Sequence, residues 1–314
     1  MINECRNLLV DGDLWKIPRK TVKLAFFFSL SAGILWGIIP LYIKFIDVDD
    51  PYEIVAHRSL WSAVMLFIIC WISGQLGKIW VTIKQRKNLL NFFITTFFLS
   101  LNWGVYVYAV QTGQVVSAAL GYFIYPLCSV LLSILVLGER LDKWAWLAIG
   151  LVCLGVMAKA MMIMDVPWIS LALAGSFSLY AVIRKRMDMD PLQGLFVETL
   201  FLLPFAIGFL FWMAANGQVP FFGGGAVNVA LALLAGGITV LPLVLFLKGN
   251  RALNMTMASL LFYSNPTMQL LLGVVVFSEE FMPRDLLAFG LIWIGIAVYF
   301  TTRVRAARLA VPAQ

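Results

Sequence analysis

Residues 118–155 read AALGYFIYPLCSVLLSILVLGERLDKWAWLAIGLVCLG, and residues 258–295 read ASLLFYSNPTMQLLLGVVVFSEEFMPRDLLAFGLIWIG. Laid on one another without a gap, the two segments agree at 12 of 38 positions. Chance matching of apolar letters explains part of that, but it does not align Pro126 with Pro266, Glu139 with Glu279, Gly150 with Gly290 and Gly155 with Gly295. The same offset of 140 residues sets Pro51 on Pro191, Leu60 on Leu200 and Lys44 on Arg184. A constant offset of this kind marks a duplicated structural unit.

Working outward from the repeat, the question is what each copy contains. A bilayer core of about 30 Å needs about 20 apolar residues as helix. Ten stretches of roughly that size occur, near 24–43, 54–73, 89–110, 116–137, 144–162, 168–182, 195–213, 227–247, 255–277 and 286–302. Five fall in each copy, and an odd number of crossings makes the second copy enter the bilayer from the opposite face. The predicted fold is therefore an all-α polytopic membrane protein of ten transmembrane helices in two inverted five-helix repeats, 24–163 and 164–303, preceded by a segment 1–23 and followed by a tail 304–314.

Composition agrees. Apolar residues make up 62% of the 314, charged residues only 12%, and the mean hydropathy is +0.92. Soluble domains carry about 25% charge, so a water-soluble enzyme or a nucleic-acid binder is excluded at the outset. The net charge of +7 names no partner, because Lys and Arg gather on the cytoplasmic side of membrane proteins for topological reasons. With the N-terminus inside, 19 of the 23 basic residues fall in alternate, inner segments, whereas Asp47, Asp49, Asp50, Glu53, Asp165, Glu279, Glu280 and Asp285 make the other side acidic. Both termini are expected in the cytoplasm. No short apolar core followed by a small-residue cleavage site precedes residue 24, so no cleaved signal peptide is read.

Cys5, Cys70, Cys128 and Cys153 form no CxxC, and His57 is the single histidine, so neither a disulfide framework nor a metal site is expected and no cofactor is implied. No HExxH, GxSxG or GxxxxGK[ST] occurs, which argues against an intramembrane enzyme and against direct drive by ATP. Inverted repeats are a construction of secondary transporters, which hold the solute near the midplane between the halves and expose it alternately to either face. A passive channel or facilitator for small amphipathic solutes is the rival. Channels line their pores with repeated polar rings, for which this chain has few charges.

A set of strings across residues 33–295 carries a family resemblance. They are His57-Arg58-Ser59-Leu60-Trp61-Ser62, Leu101-Asn102-Trp103 with Tyr106-Val107-Tyr108-Ala109-Val110, Leu120-Gly121-Tyr122-Phe123-Ile124 followed by Pro126, Leu137-Gly138-Glu139-Arg140-Leu141, Ser176-Phe177 with Tyr180, Glu198-Thr199, Pro242-Leu243 and Pro266-Thr267. In these the chain resembles the RarD branch of the EamA-type drug/metabolite transporter superfamily. The resemblance implies a five-plus-five inverted bundle that carries a small organic solute, with a historical link to chloramphenicol sensitivity. Two runs depart from the pattern: Phe262-Tyr263-Ser264-Asn265 is more polar, and Lys248-Gly249-Asn250 replaces small apolar residues.

Polar groups inside spans are costly and mark a pathway or a buried pair. Glu198 lies about two helical turns past Pro191, and its repeat mate is Arg58, equally far past Pro51. Glu198 is a candidate proton-coupling carboxylate, with protons as the coupling ion, or else a structural carboxylate bonded to a neighbouring helix. His57 and Arg58 read as a gate or an anion contact, or as an interfacial pair with Glu53 or Asp50. Asn102, Trp103 and Tyr106 share one face of a span and suit a cavity for a small amphiphile. Trp36, Tyr122, Ser176, Tyr180, Tyr263 and Asn265 are further candidates for its lining. Pro126 and Pro266 are mates in mid-span, read as packing kinks or as hinges. Glu139 and Glu279 read as caps or ion-pair formers, and Gly33 with Gly37 as a close-packing GxxxG. Whether the chain acts as monomer or homodimer, and in which direction it transports, stays open.

Overall fold

A computed structural model describes residues 19–44, 51–83, 86–112, 115–161, 168–187, 189–217, 225–276 and 283–309. Glu279, Glu280 and the acidic cluster 47–50 lie outside them. The described residues are α-helical throughout: α1 (Arg19–Lys44), α2 (Pro51–Ile72), a short α3 (Leu76–Ile83), α4 (Arg86–Gln111), α5 (Val115–Leu137), α6 (Lys143–Ala160), α7 (Trp168–Arg186), α8 (Pro191–Ala215), α9 (Ala226–Ala252), α10 (Met255–Leu261), α11 (Ser264–Val275) and α12 (Pro283–Leu309). Seven of these (α1, α2, α4, α5, α6, α8 and α9) are long and apolar enough to cross a membrane, and 286–302 of α12 forms a shorter apolar stretch. The chain is thus a multi-pass membrane protein. Helix α7 is less apolar because it is a central helix. Its Ser170, Ser176, Ser178 and Tyr180 are all buried.

Local signals in the sequence set the helix ends. Asp190 accepts from the backbone N–H of Leu192 at 3.0 Å, and Pro191 follows at the first position of α8, where its missing N–H costs nothing. Asp142 does the same for α6, accepting from Ala145 at 2.8 Å. The start of α10 is capped twice, by Asn254 and by Glu139 from the other repeat. The Glu139 carboxylate accepts from the N–H of Met255 and Thr256 at 2.5 and 3.2 Å and from the Thr256 hydroxyl at 2.8 Å.

Packing reproduces the duplication in three dimensions. A Cβ on Gly155 of α6 would meet the carbonyl of Ala288 at 2.6 Å and Ile292 at 2.8 Å. A Cβ on its mate Gly295 of α12 would meet the carbonyl of Ala148 at 2.7 Å and Val152 at 2.8 Å. Ala148 and Val152 are the mates of Ala288 and Ile292, so the two contacts are exchanged by a pseudo-two-fold axis. Rising numbers on α6 meet falling numbers on α12. The mate helices are antiparallel, and the axis relating them therefore runs across the helices. At that axis mates touch directly: the Tyr263 hydroxyl donates to the carbonyl of Phe123 at 2.9 Å, 140 residues away.

Proline acts differently in the two copies. Pro126 sits inside the continuous α5. In the second copy the path breaks between α10 and α11, four residues ahead of Pro266. The missing N–H of Pro266 would have served the carbonyl of Phe262, and the N–H of Asn265 takes that carbonyl instead at 2.9 Å, tightening the turn. Gly33 and Gly37 of α1 face this segment. A Cβ on the first would fall 2.0 Å from Ser264 Oγ, and on the second 2.5 Å from Met268 Cβ, so the GxxxG serves packing within the chain. The departing run Lys248-Gly249-Asn250 is also a packing device. Gly249 abuts Ser29 and the carbonyl of Ala25, and Asn250 donates to the carbonyl of Ala181 at 3.2 Å.

Candidate functional site

The late part of α1, the early part of α2 and the late part of α4 converge with α5, α9 and α11 around an open-mouthed cavity. Its lining lies toward the end of the bundle away from Arg19 and Leu309. Trp36, Asn102, Trp103, Tyr106, Tyr122 and Asn265 all line it, as does Arg58. Thr239 and Gln269 join them, and sequence reasoning had passed both over. A lone hydroxyl in the apolar run around Thr239 was the available signal for one. For Gln269 it was the spacing of one helical turn from Asn265.

Helix spacing explains the arrangement. Asn102, Trp103 and Tyr106 share a face of α4. The Asn102 amide is fixed by donating to the carbonyl of Leu173 at 3.0 Å and to Ser176 Oγ at 3.1 Å, so its oxygen remains for the cavity. Ser176 thus holds the lining from behind without belonging to it. Asn265 Oδ1 accepts from Gln269 Nε2 at 2.9 Å, which leaves the Asn265 amide N–H groups available. The Tyr106 and Tyr122 rings lie 6.2 Å apart. Arg58 Nε donates to Thr239 Oγ1 at 2.9 Å, and its guanidinium lies 5.1 Å from the centre of the Trp103 ring. No Asp or Glu is among the described residues that line it.

Toward the end that carries Arg19 and Leu309, the cavity stops at packed aromatics. Tyr125 and Phe262 have ring centres 4.6 Å apart, Tyr125 and Phe177 5.0 Å, Phe177 and Phe246 5.3 Å, and Trp36 lies 5.5 Å from both Phe246 and Phe262. Behind this plug Glu198 is fully buried. It lies 3.4 Å from Arg184 Nε and accepts from the Tyr180 hydroxyl at 3.2 Å. Glu198 and Tyr180 therefore stand apart from the cavity, as does Tyr263 at the axis. His57 faces Glu53 at 3.5 Å, both buried, and lies outside the lining too. Among the described residues no group of His, Cys, Asp and Glu could hold a metal ion.

Applying the 140-residue offset to the cavity is informative. Arg58 maps to Glu198, Trp36 to Ser176, Tyr106 to Phe246 and Tyr122 to Phe262. The first of each pair lines the cavity, whereas Glu198, Ser176 and Phe246 stand outside it and Phe262 closes its floor as part of the plug.

The chain matches the EamA-like transporter family over residues 23–159 and 166–301. It belongs to that family. Among its relatives, a protein named RarD from Streptomyces exfoliatus is 34% identical over 281 residues, covering 90% of this chain and 89% of the relative. A Bacillus subtilis protein named as the uncharacterized transporter YojE is also 34% identical, covering 88% of this chain and 94% of its own length. A solved crystal structure shares the fold with a TM-score of 0.68 at 18% identity, over 87% of this chain and 96% of that one. The chain is accordingly a membrane transporter of the two-repeat EamA fold.

Proposed function

We propose that this EamA-family protein is a secondary carrier that moves a small organic solute across the bacterial inner membrane by alternating access, with ten crossings, repeats 24–163 and 164–303, and both termini in the cytoplasm. One observation carries the proposal: the two ends of the bundle that the pseudo-two-fold relates differ, one open as a cavity lined by both repeats and the other packed as an aromatic plug. A pseudo-two-fold across the helices makes the exchanged arrangement, plug at one end and cavity at the other, similar in energy. Rocking one repeat against the other would interconvert them.

On this reading Asn102, Trp103, Tyr106, Tyr122 and Asn265 contact the solute. The Arg184–Glu198 pair latches the closed, cytoplasmic side and parts when the plug opens. Opening would expose Glu198 to water, where its carboxyl can exchange a proton, which makes it the candidate for coupling. The link of the RarD branch to chloramphenicol sensitivity makes that amphiphile the first solute to try. Purified protein in proteoliposomes should show saturable counterflow. Linear, non-exchanging flux would assign the chain to a passive facilitator instead.

A further inference from the structure

Among the described residues Arg58 is the single charged one lining the cavity. The contrast with Arg184 is informative, because that guanidinium, buried where Arg58 is half-buried, has Glu198 at 3.4 Å. Arg58 has no carboxylate partner among the described residues. Its hydrogen bonding there is one donation from Nε to Thr239 Oγ1. The two terminal nitrogens, the fork that grips carboxylates in two parallel bonds, have no acceptor among the described residues. Donors also stand among the other polar groups of the cavity, the phenol groups of Tyr106 and Tyr122 and the Asn265 amide, beside the acceptor oxygens of Asn102 and Gln269.

A half-buried positive charge with unused N–H groups, set against the aromatic walls of Trp103, Tyr106 and Tyr122, is incomplete by itself. Removing a cation from water is costly unless an anion compensates it. We infer that the cavity takes an organic anion, a carboxylate with a flat aromatic or other apolar body, and that Arg58 is its counter-charge. The inference rests on the carrier reading above and narrows the solute class. Trp36 and Trp103 supply apolar surface for the body of the solute, and the contact of the Arg58 guanidinium with the Trp103 ring, 5.1 Å from its centre, together with the Thr239 bond holds the charge at the cavity wall. A neutral amide would leave the charge uncompensated, and an amine would be repelled.

A matched set tests this: indole-3-acetate, indole-3-acetamide and tryptamine, compared at pH 7 by counterflow in proteoliposomes of the full chain. The acetate should half-saturate at a concentration about tenfold or more below the amide, the factor expected for a charge-assisted hydrogen bond, and tryptamine should not be carried. Arg58→Gln should bring the acetate to the level of the amide, and Arg58→Lys should restore part of the preference. The acetate-to-amide ratio is read within one preparation, so a general loss of folded protein cancels. Saturable counterflow that favours the amide or the amine, or a preference that survives Arg58→Gln, would overturn the inference and leave the carrier reading standing. Absence of saturable counterflow for all three solutes and for chloramphenicol would overturn the carrier reading itself.

Discussion

Consider Glu198→Gln. The carboxylate is fully buried with Arg184 at 3.4 Å and Tyr180 at 3.2 Å. At that separation two unit charges attract by about 5 kcal/mol at an effective dielectric constant of 20. The amide keeps the shape and can still accept from Tyr180, so the substitution removes charge alone and strands the Arg184 guanidinium. Breaking a buried pair from one side typically costs about 3–5 kcal/mol. For a chain of this size that lowers the unfolding temperature by about 5–10 °C. Arg184→Gln should cost a similar amount by stranding the carboxylate. The double variant Arg184→Gln with Glu198→Gln leaves no charge uncompensated and should recover at least half of the summed loss. Scanning calorimetry in detergent, on wild type, both single variants and the double, closes the cycle. Single losses below about 1 kcal/mol, or strictly additive ones, would refute the reasoning that the pair is held in a dry, low-dielectric setting.

Trp103→Ala and Asn265→Ala should each lower saturable counterflow about tenfold or more while leaving membrane insertion intact, because each removes a lining group and no helix-end cap; wild-type flux in both would remove the cavity from the transport path. Gly155→Ala and Gly295→Ala should each cost about 1–3 kcal/mol, since the added methyl would overlap a backbone carbonyl that cannot yield cheaply. Because the two contacts are exchanged by the pseudo-two-fold, thermal unfolding should rank them close together, and a silent Gly295→Ala beside a severe Gly155→Ala would contradict that symmetry. Glu139→Gln should weaken the start of α10 by about 1–2 kcal/mol, seen as faster hydrogen exchange over 255–258, and unchanged exchange there would deny the cap its role. If Glu198 couples protons, Glu198→Gln should abolish drive by a pH gradient but spare solute exchange, read by flux with and without an imposed gradient.

The repeat was legible because proline, glycine and glutamate resist drift where backbone geometry or capping fixes them. Gly155 and Gly295 each meet a carbonyl that leaves no room for a methyl group, and Glu139 serves backbone N–H groups that would otherwise be unsatisfied. Much of the lining was legible as well, since Asn102, Trp103 and Tyr106 are polar or amphipathic at helical spacing in mid-span. The partner of Glu198 was not. Arg184 lies 14 residues earlier, across the turn between α7 and α8, and reads in the sequence as one more basic residue at a cytoplasmic end. The break ahead of Pro266 escaped too, because a proline disturbs the carbonyl four residues behind it, and whether that leads to a kink or a break depends on who accepts the freed group.

The carboxylate of Glu139 also constrains how the protein is made. A ribosome releases this side chain more than a hundred residues before it synthesises Met255 and Thr256, the groups it will hold. Until they arrive, the first repeat exists as an inserted but unfinished half, and the α10 start has no such anchor if that half is missing. Expressed as separate fragments, the two halves should therefore need each other present in the same membrane before either becomes resistant to proteolysis.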